Sequence, residues 1–217
     1  MLQSNGGDAD VAEKLVFMIW ERASELRVVI TDRAKSAATL MALAANEIIM
    51  GSTSELGPID PQVAMPTPEG GTVGRPAQSV LDGLEAIAKK SGGTTLNPAY
   101  YPLLVRLDPA LVDFCNKAIT RSQQFAEKWL SLHMLPRAKA RAKRIAKKLA
   151  NVKTYTSHGM VIDWRQATKL GLKINYLRQA DPLWQKFWNL HLTYEVLAST
   201  QNLRKIFEGN KVSLAFR

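Results

Sequence analysis

Residues 30–62 read ITDRAKSAATLMALAANEIIMGSTSELGPIDPQ. A charged run, Asp32 to Lys35, leads into Ser36 and then into small and apolar side chains. Just upstream, LRVVIT (26–31) is a short β-branched stretch of the kind that a parallel sheet buries on both faces. SAATLMALAAN (36–46) has the small side chains of a closely packed helix, and EIIMG (47–51) is strand-like again. STSELGPIDP (52–61) is a loop punctuated by Gly and Pro. Before the quoted stretch, DADVAEKLVFMIW (8–20) predicts a helix. Asp10 and Glu13 stand in capping-box spacing at its start, and Val11, Leu15, Met18 and Ile19 carry it. Helix, strand, helix, strand is the order of an α/β fold: a parallel-sheet core with helices packed around it.

The rest of the chain is more helical. A helix is expected over 76–90, with Val80, Leu84 and Ile87 on one face. After the turn-prone SGGTTLNP (91–98), a long helix is expected from about Asp108 to Leu135, followed directly by a basic helix over 136–150. TYTSHGMVI (154–162) is expected to be extended. Asp163 then opens a small helix, with Gln166 in the capping-box position and Gly171 at its C-terminal stop. LKINYL (172–177) is expected as an edge strand, and 181–208 as a helix carrying Trp184, Phe187, Trp188 and Leu192 at helical spacing.

At 217 residues the chain can bury one substantial core, and 46% apolar with 22% charged residues argues against disorder. The single cysteine, Cys115, excludes an internal disulfide and a cysteine-based metal site, and it fits a reducing compartment. No apolar run is long enough to span a membrane; 37–50 is interrupted by Asn46 and Glu47. MLQSNGGDAD lacks the basic start and apolar run of a signal peptide. The expected location is cytoplasmic, or on the cytoplasmic face of a membrane. The net charge of +10 is concentrated in PRAKARAKRIAKK (136–148), which carries seven Lys or Arg and no acid. Such a block suits an anionic membrane surface or a solvated helix face. Nucleic acid is disfavoured, because no aromatic side chains interleave the charges.

Ser36 has two readings. It caps the helix, or it presents a hydroxyl beside free backbone N–H groups and the positive end of a helix. The second arrangement stabilises an oxyanion forming next to the hydroxyl, the dominant effect in acyl transfer. Gly6 and Gly7 precede the first helix in the same way, so their N–H groups can complete such a hole with that of Ala37.

SNGGDADVAEKLV (4–16) resembles the Ser-Pro-Gly-Gly turn and first helix of the Clp-protease and crotonase superfamily. AKSAATLMALAANEIIMGSTSELGPIDPQ (34–62) resembles the nucleophile segment of its serine dehydrogenase proteinase branch, which is related to signal peptide peptidase A. TYTSHGMVIDWRQATKLGLKI (154–174) is similar to the superfamily's late strand-turn-helix element, its Ala-x-x-x-Gly-Leu run standing at Ala167 to Leu172. The three blocks occur in family order. The resemblance implies a ClpP/crotonase-like serine peptidase domain over 1–175 and a helical C-terminal extension over 176–217. It also implies that N-terminal strands of the sheet are missing, since MLQS supplies only the end of one. Ser36 would be the nucleophile, with Gly6, Gly7 and Ala37 at the oxyanion hole. The substrate would be a peptide or protein and the assembly a homo-oligomer, and no metal or organic cofactor is called for. A scaffold of the same fold that binds without cleaving is the rival reading.

The base stays open at this level. Where the Clp-protease pattern has its histidine, this chain has Asp60; near the family's aspartate position it has His158. The resulting order, Ser36, Asp60, His158, is acceptable because only geometry matters. A strict exchange of positions would, however, set the carboxylate rather than the imidazole against Ser36. Signal peptide peptidases use a serine–lysine dyad, for which Lys117 on the long helix is the candidate. His133, among Leu132, Met134 and Leu135, is the other alternative base. Lys35 adjoins Ser36, but adjacent side chains diverge.

Overall fold

The structure, a computed structural model, describes residues 1–67, 69–90, 98–104 and 108–217. The first half of the chain runs α1 (Ala9–Trp20), β1 (Arg27–Ile30), β2 (Arg33–Ala34), α2 (Ala37–Leu43), β3 (Glu47–Met50), β4 (Glu55–Leu56), β5 (Gln62–Pro66), β6 (Thr72–Pro76) and α3 (Ala77–Lys90). Then come α4 (Tyr101–Leu104), α5 (Pro109–Trp129), α6 (Lys139–Leu149), α7 (Trp164–Leu170), β7 (Ile174–Tyr176), α8 (Pro182–Gln201), β8 (Lys205–Glu208) and β9 (Ser213–Phe216).

β1, β3 and β7 form a parallel sheet in that spatial order, with Val28 opposite Ile48 and Ile48 opposite Ile174. Val28, Val29 and Ile30 are all buried, as are Ile48, Ile49 and Met50, so no alternation survives in strands covered on both faces. β2 pairs in parallel with β4, and Leu56 of β4 bridges Ile162 in the antiparallel sense. Residues 2–4 run along the edge of β1 and β2: Leu2 N–H donates to Val29 O at 2.8 Å, and Ser4 N–H to Arg33 O at 3.0 Å.

α2 lies in the centre of the core. Ala38, Ala42, Ala44 and Ala45 are each at most 2% exposed, and their single-carbon side chains let the backbone approach the sheet on one side. Phe125, Ala126 and Trp129 of α5 belong to the same apolar cluster. α6 adds Ala142, Ile145, Ala146 and Leu149, the spacing of one helix face. α8 is fastened by Trp184, which is buried against Gly51 at the end of β3, where no Cβ would fit.

Glu13 joins α1 to α5. Its carboxylate accepts hydrogen bonds from Arg121, from Lys128 at 3.2 Å and from Trp129 Nε1 at 3.3 Å. Burial opposes its ionisation, but these donors outweigh burial and hold its pKa below the ordinary glutamate value. A depressed carboxyl stabilises the fold above its unfolded pKa, and that contribution is lost as pH falls through the lower folded value. Glu13→Gln is therefore expected to cost about 1–2 kcal/mol at pH 7, after allowing for the solvent exposure of Arg121 and Lys128. Urea unfolding at pH 7 and pH 3 should show the gap between variant and wild type closing in acid.

Several expectations are corrected. The cap of α1 is Asp8, whose side chain accepts from Asp10 N–H and Val11 N–H, not Asp10. The long helix ends at Trp129 and continues as one π-helical turn, Leu130–Met134. The basic helix begins only at Lys139, past Pro136. Residues 62–76, left unassigned by the pattern, form the antiparallel β5–β6 hairpin. Residues 154–161 are turns rather than extended, because local bonds compete with a ladder: Met160 N–H donates to Ser157 O and Gly159 N–H to Ser157 Oγ. The extension is not helical throughout. Left-handed Asn202 ends α8, and β8 and β9 pair across a turn closed by Gly209 N–H to Val212 O. Of the expected turn at 91–98, residues 91–97 lie outside the described residues.

Candidate active site

Ser36 stands two residues past the end of β2 and immediately before α2, with φ 51° and ψ −117°. Such a conformation for a residue with a Cβ costs about 1–3 kcal/mol and persists only where the surroundings over-determine it. They do so here. Lys35 N–H donates to Ser4 O, Ala38 N–H to Lys35 O and Leu40 N–H to Ser36 O. Thr39 Oγ1 donates to Ala34 O at 2.7 Å and accepts from Gly57 N–H at 3.1 Å, locking the turn to the β4 loop. The Ser36 side chain makes no capping hydrogen bond to α2. Ser36 is therefore the N-cap of α2 by position only, with its hydroxyl unused for capping.

Gly6 packs against this turn. With φ +106°, a Cβ there would stand 2.9 Å from both Ser36 Cβ and Lys35 O. Its N–H donates to Ser4 Oγ at 3.1 Å, so this glycine supplies close approach to the serine turn while its N–H is already engaged. Among the described residues, the N–H groups of Gly7 and Ala37 have no hydrogen-bond partner.

Asp60 and His158 meet although 98 positions separate them. Leu56 and Ile162 exchange both backbone hydrogen bonds at 3.0 Å. Asp60 lies four residues beyond Leu56 and His158 four before Ile162, so the antiparallel register carries them to the same place. His158 Nδ1 is 2.8 Å from Asp60 Oδ1. Asp60 Oδ2 accepts from Gln62 Nε2 at 2.7 Å, so both carboxylate oxygens are engaged in a side chain that is only 3% exposed. The backbone around Asp60 is held too, since Ser122 Oγ donates to Ile59 O and Ile59 N–H to Leu149 O.

Lys35 connects the two halves. Its ammonium pairs with Glu55 at 2.8 Å and donates toward the carbonyls of Leu56, Gly159 and Met160 at 3.3–3.4 Å. Gly57 packs on its stem. The residue before Ser36 thus grips the residue after His158. Sequence reasoning set Lys35 aside because neighbouring side chains diverge; they do, and that divergence lets it reach the other loop. Gln62 was missed as well; its only sequence signal was an amide side chain two residues from the candidate Asp60.

The two alternative bases are elsewhere. Lys117 is 76% exposed and pairs with Asp113 one helical turn away on α5. His133 stacks on Trp20, with ring centroids 3.5 Å apart, and burial lowers its pKa. Trp20 in turn donates to Ala44 O, just past the C-terminal end of α2. Ser36 is at the opposite end of that helix, whose seven residues span about 10 Å.

Among the described residues, no helix is long and apolar enough to cross a membrane. A family model described as ClpP-like SDH-type serine proteinase matches residues 1–181, stopping just before α8. Uncharacterized protein MJ1495 of Methanocaldococcus jannaschii is 29% identical over 175 residues, which cover 81% of this chain and 51% of that protein. Uncharacterized protein MJ0137 of the same organism is 28% identical over 176 residues, covering 81% and 52%. The chain therefore spans about half the length of these curated relatives. No solved structure matches it significantly.

Proposed function

The chain belongs to the ClpP-like SDH-type serine proteinases, and from that premise we propose that it hydrolyses peptide bonds through an acyl-enzyme on Ser36. The observation that carries the reading is the strained serine without a capping role at the head of α2. In this mechanism His158 takes the Ser36 proton through Nε2, because its Nδ1 faces Asp60. Ser36 Oγ adds to the scissile carbonyl carbon, and the oxyanion is received by the N–H groups of Gly7 and Ala37. Collapse breaks the C–N bond as His158 returns the proton to the leaving amine. Water, deprotonated by the same imidazole, then releases the acyl group and restores Ser36.

A scaffold of the same fold that binds peptides without cleaving them is the second reading. Labelling with a fluorophosphonate probe separates the two. Peptide mass analysis is expected to find the adduct on Ser36 and on no other serine. Unmodified Ser36 after prolonged exposure would leave only the scaffold.

A further inference from the structure

The basic segment walls a cleft. α6 and the C-terminal end of α7 border an open cleft of about 300 Å³ between Arg141, Arg144, Lys148, Thr168 and Lys169. The buried face of α6, Ala142, Ile145, Ala146 and Leu149, divides its cations into two flanks. Arg141, Arg144 and Lys148 follow one another at intervals of three and four along the flank that faces α7. Lys139, Lys143 and Lys147 lie on the other flank by helical geometry.

Arg141 is seated. Its Nη2 donates to Gly171 O at 2.9 Å, and a Cβ at Gly171 would collide with the guanidinium. Gly171, at φ +104°, is thus both the left-handed stop of α7 and the floor on which Arg141 rests. Arg144, Lys148 and Lys169 enter the same space, no carboxylate lines it, and none of the four cations is in an ion pair among the described residues. Like charges gathered in a concave site favour a compact anion of several charges, and arginine forks match phosphate oxygens. The lining has no aromatic ring on which a nucleobase could stack.

We infer that this cleft binds a compact anion carrying two or more phosphate charges, free in solution or presented on a lipid headgroup. Calorimetric titration of the full chain with inorganic tripolyphosphate tests the free source. Sedimentation with phosphatidylcholine vesicles containing phosphatidic acid tests the headgroup. The paired substitution Arg144→Gln with Lys148→Gln is expected to weaken binding at least tenfold. Lys143→Gln with Lys147→Gln removes the same charge from the other flank and should change it less than twofold. Circular dichroism confirms that both variants fold. Cleft-dependent binding of either probe supports the site, and the probe that binds identifies the source. Binding of neither probe, or equal losses in the two variants, overturns the proposal.

Discussion

Ser36→Ala is expected to lower kcat about a millionfold on a peptide that the wild type cleaves, and Asp60→Asn about ten-thousandfold. The first removes the only atom that can form the acyl-enzyme. The second acts through the proton on His158. Gln62 donates to one oxygen of Asp60, while the other faces His158 Nδ1. An asparagine that keeps the Gln62 bond must turn its carbonyl oxygen toward Gln62 and its NH2 toward His158. An imidazole facing that NH2 has to accept through Nδ1, which moves its proton to Nε2 and removes the base from the side that Ser36 needs. KM should hold steady, because each change removes a group that acts in the chemical step rather than in ground-state binding. An Asp60→Asn enzyme within tenfold of wild type would show that the carboxylate does not set the tautomer, and a Ser36→Ala enzyme that still turns over would end the acyl-enzyme reading.

Lys35→Met is expected to cost about 3 kcal/mol of stability, the low end for breaking a buried ion pair, since Glu55 keeps about a fifth of its side chain in solvent. Methionine conserves the stem that Gly57 packs on, so the loss isolates the charge. It leaves the Glu55 carboxylate unpaired and takes the donor from the carbonyls of Leu56, Gly159 and Met160. Without that grip the His158 loop is free to shift relative to the serine turn. A displacement on the order of 1 Å is enough to lower kcat about a hundredfold. Lys35 is a positioning residue in this account, so kcat should fall while KM does not, and Lys35→Arg should recover most of it. A Lys35→Met protein that is less stable but has unchanged kcat below its unfolding temperature would reduce Lys35 to a purely structural ion pair.

The parts of this protein legible from sequence are those whose cause is local. The short β-branched runs in LRVVIT and EIIMG predict strands buried on both faces, and the alanines after Ser36 predict a helix pressed into the core. Asp163 and Gly171 mark the ends of α7 by cap chemistry that acts within a few residues, and both hold. The β5–β6 hairpin was not legible, because Pro66 and the Gly70-Gly71 pair mask any alternation there. Nor was the turn at His158, where serine and asparagine side chains satisfy backbone groups that a strand would have left for a partner.

By itself the sequence determined an α/β core, which follows from composition and spacing over some thirty neighbouring positions; it left Ser36 between a helix cap and a nucleophile, and the family resemblance favoured the second. Only the tertiary structure decided which group stands behind which. A bridge between Leu56 and Ile162 sets Asp60 against His158, and Lys35 turns away from Ser36 to hold the loop that carries the imidazole. Those relations depend on register and packing between segments about a hundred residues apart, and no local pattern encodes where two distant loops will meet.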